Sequence, residues 1–124
     1  MVDHPVGIAD RARHSGLGHW RWQRYSAVIV LLLMMYFVVM LAGLGDLDHA
    51  AAMAMVGHPA NAAALAVLVT IGLWHGTLGL QVVIEDYISI KGGRHAVLGI
   101  VRVVMGLIGL ASLWAIASVA MGNF

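Results

Sequence analysis

Residues 25–45 contain no Asp, Glu, Lys or Arg, and neither do residues 49–84; these two stretches constrain the fold more than any other feature of the chain. Each is longer than the roughly 20 apolar residues that a helix rising about 1.5 Å per residue needs to cross hydrocarbon. A third run, residues 96–121, holds a single charge, Arg102, in its second turn. The chain therefore reads as an all-α integral membrane protein with three transmembrane helices, at about residues 25–45, 61–84 and 96–121. Residues 1–24 read as a polar interfacial segment ahead of an anchor formed by residues 25–124.

Composition agrees with this reading. Of the 124 residues, 61% are hydrophobic and only 10% charged, against about 25% charged in soluble domains. The mean hydropathy is +0.90. The two connections, residues 46–58 and 85–95, are too short for a soluble catalytic domain, so any chemistry is expected in or beside the membrane. Cysteine is absent, which excludes an iron–sulfur cluster, a disulfide or a thioether-linked haem on this chain. A net charge of +1 gives no basis for nucleic-acid binding. The first apolar run is too long for the core of a cleaved signal peptide and is read as retained.

Charge asymmetry sets the expected orientation. Arg11, Arg13, Arg21 and Arg24, with Trp20 and Trp22, precede the first span, and Lys91 and Arg94 lie in the second connection. The first connection carries Asp46 and Asp48 and no Lys or Arg. The positive-inside rule then puts the N-terminus in the cytoplasm and the C-terminus in the periplasm of a bacterial inner membrane. Pro59 suits the first turn of the second span, which is expected to start near Asn61. Gly92-Gly93 is expected to break the chain before the third span, and the simplest arrangement is one compact three-helix unit.

His75 is the one ionisable residue well inside the second span. At about 100° per residue, Gly72, His75, Gly76 and Gly79 share one helix face, so side-chain bulk is missing where the imidazole points. Two explanations fit. A haem needs such clearance for its porphyrin while a ring nitrogen reaches iron; alternatively, Gly72-x-x-x-Gly76 is a helix-packing motif and His75 bonds a neighbouring helix. Asp86 falls on the same stripe, and Glu85, Asp86 and Tyr87 make a polar cluster at the end of the span. A carboxylate and a phenol there suit a quinone carbonyl that takes up protons on reduction; the simpler reading is an acidic helix end with an interfacial Tyr. His19, Arg21 and Arg24 lie at the same level, suited either to haem propionates or to lipid phosphates. Arg102 is read as snorkelling to the interface, with a propionate as its other choice of partner. His4, His14, His49, His58 and His95 receive no role. One intramembrane His is half of a bis-His site, so a second axial ligand would come from another chain, and a di-haem cytochrome is disfavoured.

The segment Trp74-His75-Gly76-Thr77-Leu78-Gly79-Leu80-Gln81-Val82-Val83-Ile84-Glu85-Asp86-Tyr87 resembles the hydrophobic membrane-anchor family of succinate dehydrogenase, respiratory complex II. The segment His19-Trp20-Arg21-Trp22-Gln23-Arg24, followed by Ser26-Ala27, is similar to that family's entry into its first span. The resemblance covers nearly the whole chain. It implies three helices packed with a sister anchor subunit, below an iron–sulfur subunit and a flavoprotein subunit. It implies that His75 is an axial ligand of haem b, its iron shared with the sister chain, that Tyr87 and Asp86 border the ubiquinone site, and that His19 and Arg24 contact the haem propionates. On this reading the chain is a non-flavin subunit of an enzyme and does no dicarboxylate catalysis itself. Two other readings stay open: a small proton-conducting or transport protein using His75 and Asp86, and a haem-free structural anchor of another respiratory complex.

Overall fold

The computed structural model describes residues 6–45 and 48–123, with side chains from residue 16 onward. His4 and Asp46 lie outside the described residues, as do the side chains of Arg11, Arg13 and His14. The described residues form four helices, α1 (Val6–Ala42), α2 (His49–Gly57), α3 (Pro59–Tyr87) and α4 (Lys91–Ala120), and no strand. Three stretches are long and apolar enough to cross a membrane: Gly16–Ala42, Pro59–Tyr87 and Lys91–Ala120, of 27, 29 and 30 residues. At about 1.5 Å per residue each reaches some 40–45 Å, more than a hydrocarbon core of about 30 Å, so the helix ends extend into the headgroup layers.

The helices run past the boundaries suggested by charge. α1 is continuous through residues 6–24, where a polar segment was expected, and carries Arg21 and Arg24 as exposed side chains. Gly92 and Gly93 do not break the chain. They occupy the first turn of α4, where the backbone N–H groups have no intrahelical partner and a glycine weakens the helix least. The turn between α3 and α4 is only residues 88–90. Charges mark where hydrocarbon ends; backbone hydrogen bonds continue beyond it. α2 is a further addition, a nine-residue helix inside the first connection. Asp48 caps it, accepting from the Ala51 amide at 2.6 Å. The turn that follows α1 includes Gly45, whose φ of +65° suits glycine. His58 caps α3 by accepting from the Ala60 amide at 3.3 Å, and Pro59 opens it.

α3 is the central helix. It packs on α1 along one side and on α4 along the other, while α1 and α4 do not approach each other among the described residues. Ser26 meets His75 and Tyr36 meets Asn61, which makes α1 and α3 antiparallel. Gly109 lets α4 close on α3, since a Cβ there would stand 3.2 Å from Leu73 Cδ1. This row of helices differs from the compact unit expected, and it leaves very little enclosed. The buried apolar residues are Phe37, Ala62, Leu98 and Ile116 among those described, whereas Trp22, Trp74 and Trp114 are 65%, 61% and 75% exposed. Such a surface suits lipid tails and neighbouring apolar helices.

Buried Asn61 fastens the end of the row near α2. It accepts from the Tyr36 hydroxyl of α1 and donates its amide to the Met55 carbonyl of α2 at 2.9 Å. Replacing Asn61 with Ala is expected to lower unfolding free energy by about 1–3 kcal/mol, the cost of leaving such partners unsatisfied. Thr70→Ala, which removes a hydroxyl bonded only to the Ala66 carbonyl of its own helix, should stay within about 0.5 kcal/mol. Unfolding of the detergent-solubilised protein by denaturant titration measures both.

Candidate functional site between α1 and α3

The polar side chains that matter lie along the α1–α3 seam. On α1, His19, Gln23 and Ser26 follow i, i+4, i+7 spacing and so share one face. Ser26 is 7% exposed, and its Oγ stands 3.0 Å from His75 Nδ1 on α3. The same hydroxyl donates to the Gln23 carbonyl at 3.1 Å, one turn back on its own helix. His75 is half-buried, and its Nε2 has no hydrogen-bond partner among the described residues. Two buried atoms nearer the basic end, His19 Nε2 and Gln23 Oε1, also lack a partner. Buried polar atoms are nearly always satisfied, so these two stand out on the seam.

The glycine stripe divides into two parts with different uses. A Cβ at Gly79 would meet Gln23 Nε2 at 3.7 Å, so this glycine faces the α1 contact. At Gly72 and Gly76 a Cβ would meet nothing within 4 Å, leaving open space on either side of His75 in sequence. Packing against the described helices of this chain therefore involves Gly79 and leaves Gly72 and Gly76 free. The donor set suits a haem: an imidazole with one nitrogen engaged and the other unclaimed, an unfilled glycine cradle, and orphaned polar atoms on the facing helix. Among the described residues no three His, Cys or acidic side chains cluster to hold a bare metal ion.

Other predicted residues are placed as follows. Arg24 stacks over the Trp20 ring, 4.2 Å from its centroid, and lies roughly 160° around α1 from Ser26, so the structure does not bring it to His75. Asp86 and Tyr87 are exposed at the end of α3, Tyr87 at 85%. They lie about 17–18 Å from His75 along the helix. Arg102 is exposed and reaches α3: its Nη2 donates to Gln81 Oε1 at 3.4 Å, while Gln81 Nε2 donates to Glu85 Oε1 at 2.8 Å. The amide of Gln81 thus stands between a cation and a carboxylate, its two ends matched to both. Sequence reasoning passed over Ser26, Gln23 and Asn61. The signal for the first two was their helical spacing from His19, four residues for Gln23 and seven for Ser26.

Two apolar grooves of about 400 Å³ each lie beside Trp74. One is lined by Trp22, Tyr25, Ser26, Ile29 and Ile71 between α1 and α3. The other runs between α3 and α4 past Leu73, Met105, Gly106 and Leu113. Trp74 and Thr70 line both grooves, whereas Gly72 and Gly76 line neither.

These features define a class: a multi-pass helical membrane subunit whose polar groups are gathered on one interhelical seam and at one end. The chain belongs to the succinate dehydrogenase/fumarate reductase transmembrane subunit family, whose pattern its residues 10–110 match. It is 34% identical over 92 residues to the succinate dehydrogenase hydrophobic membrane anchor subunit of Rickettsia felis, covering 74% of this chain and 77% of that one. The subunit of the same name from Rickettsia prowazekii is 35% identical over 88 residues, 71% of this chain and 70% of its own. No solved structure matches the chain.

The two uses of glycine are separable. Gly79→Leu is expected to wedge Gln23 away and reduce the amount of folded protein in the membrane, whereas Gly76→Leu, which meets open space, should accumulate like wild type. Quantitative immunoblotting of membrane fractions distinguishes them.

Proposed function

We propose that this chain is the hydrophobic anchor of a succinate:ubiquinone oxidoreductase, that His75 ligates haem b together with a ligand from a sister anchor subunit, and that Tyr87 and Asp86 help form the ubiquinone site. The observation that carries the reading is His75 itself, a half-buried imidazole within a span, engaged at Nδ1 by Ser26, unclaimed at Nε2 and flanked by the open positions at Gly72 and Gly76. Family membership supports the wider assignment.

Each residue has a distinct task in this scheme. His75 Nε2 offers its lone pair to iron, and Gly72 and Gly76 leave room for the macrocycle. His19 Nε2, buried and unpartnered, is the seam group suited to a propionate; Arg24 would have to leave the Trp20 ring to join it. Haem, when bound, would supply a one-electron redox site at His75. Tyr87 is exposed at the end of α3, where its phenol suits a hydrogen bond to a quinone carbonyl. Reduction of a quinone to a quinol takes two electrons and two protons, and the neighbouring Asp86 carboxylate relays protons from water. The electrons arrive from an iron–sulfur subunit, which is in turn reduced by a flavoprotein subunit that oxidises succinate.

Orientation follows from charge. The basic end, with Arg21, Arg24, Lys91 and Arg94, faces the cytoplasm of a bacterial inner membrane, and α2 faces the periplasm. Tyr87 and Asp86 then lie at the cytoplasmic surface, where the soluble subunits dock. The exposed apolar faces of the row are covered by the sister anchor and by lipid.

A reduced-minus-oxidised spectrum of the purified complex tests the haem assignment. A b-type band present in wild type and lost in His75→Ala is expected; its persistence in the variant removes His75 as ligand. Gly76→Leu should lose the band while the subunits still copurify. Tyr87→Phe should keep the band and slow quinone reduction by up to about 10-fold, the loss of one hydrogen bond to the quinone carbonyl. Unchanged quinone kinetics would exclude Tyr87 from the site.

A further inference from the structure

Ser26 has one proton and two partners. The Gln23 carbonyl, at 3.1 Å, can only accept. His75 Nδ1, at 3.0 Å, is able to donate or accept according to tautomer. Only one assignment makes both contacts hydrogen bonds: the hydroxyl donates to Gln23, and His75 Nδ1–H donates to Ser26 Oγ. The imidazole is then the Nδ1–H tautomer, with the Nε2 lone pair unprotonated. The opposite tautomer would put a proton on Nε2 and block coordination there.

We propose that Ser26 is the positioning residue for His75: it holds the imidazole in the metal-binding tautomer and raises its donor strength through the relay Nδ1–H to Oγ–H to the Gln23 carbonyl. This inference rests on the haem reading of His75. Ser26 acts through the ring and touches no haem atom in this scheme. The relay has a physical basis, because a hydroxyl that donates to a carbonyl becomes a better acceptor. An Nδ1–H bond to such an acceptor makes a ligating imidazole more basic, which favours oxidised over reduced iron. The seam is also well placed to enforce the geometry: Ser26 is 7% exposed, held at the contact between α1 and α3.

The sign of the effect follows. Removing the hydroxyl weakens the donor, so oxidised haem loses more stabilisation than reduced haem and the midpoint potential rises. A threefold to tenfold change in relative affinity for the two oxidation states corresponds to about 30–60 mV for one electron.

Potentiometric titration of the haem band in the intact complex tests this, on wild type, Ser26→Ala, Ser26→Thr and His75→Ala. Ser26→Ala is expected to keep its haem and shift the potential upward, and Ser26→Thr, which restores a hydroxyl, to return it to within a third of that shift. Loss of haem in Ser26→Ala alone, with Ser26→Thr loaded normally, also supports the role. An unshifted potential in Ser26→Ala overturns it, as does equal loss of haem in Ser26→Ala and Ser26→Thr. His75→Ala separates the two levels: if that variant keeps the haem band, the ligand assignment itself has failed, whatever Ser26 does.

Discussion

Hydrocarbon cannot hydrogen-bond a polypeptide, and each long helix here answers that constraint by satisfying its own backbone. Helices formed in this way gain little from burying apolar side chains against one another, because lipid tails are as apolar as leucine. What holds α1, α3 and α4 in a row is therefore close backbone approach at a few glycines and a few polar contacts. Gly109 supplies the first between α3 and α4. Ser26–His75 and Tyr36–Asn61 supply the second, one towards each end of the α1–α3 seam.

This economy explains why the polar side chains of α1 and α3 gather on one seam. Intramembrane polar groups are expensive unless paired, so those present are concentrated where they meet each other. Asn61 is wholly used, with both ends of its amide bonded across helices. His75 is only half used, and the orphaned atoms of His19 and Gln23 lie on the same face of α1 as Ser26. The seam is thus fully bonded at the Asn61 end and only partly bonded towards His19. Buried apolar residues are also scarce among those described, and a row of three spans without its own core needs neighbours.

Charge placement organises the ends. Lys91 and Arg94 stand in the first turn of α4, next to the end of α3 that carries Asp86 and Tyr87, Arg21 and Arg24 precede Ser26 on α1, and the cation deeper in α4, Arg102, is tied through Gln81 to Glu85. That connection crosses from α4 to α3 near the same end. It keeps a guanidinium inside the apolar run without an exposed ion pair, at the modest strength of neutral-to-charged hydrogen bonds.

The number of spans, the all-α class and the isolation of His75 were legible from the sequence, because hydrocarbon thickness imposes a length and a charge-free composition that can be counted. The glycine stripe and the polar end at Asp86 and Tyr87 were legible for a similar reason, since helical periodicity is fixed locally. Helix ends were not: α1 and α4 run through charged residues and Gly92-Gly93, because those features report on the water boundary and a helix persists beyond it. The separate uses of Gly72, Gly76 and Gly79, the capture of Arg102 by Gln81 and the placement of Ser26 against His75 depend on which faces of three helices meet. That choice is made by distances between residues far apart in the chain, 49 positions for Ser26 and His75, and only the tertiary structure decides it.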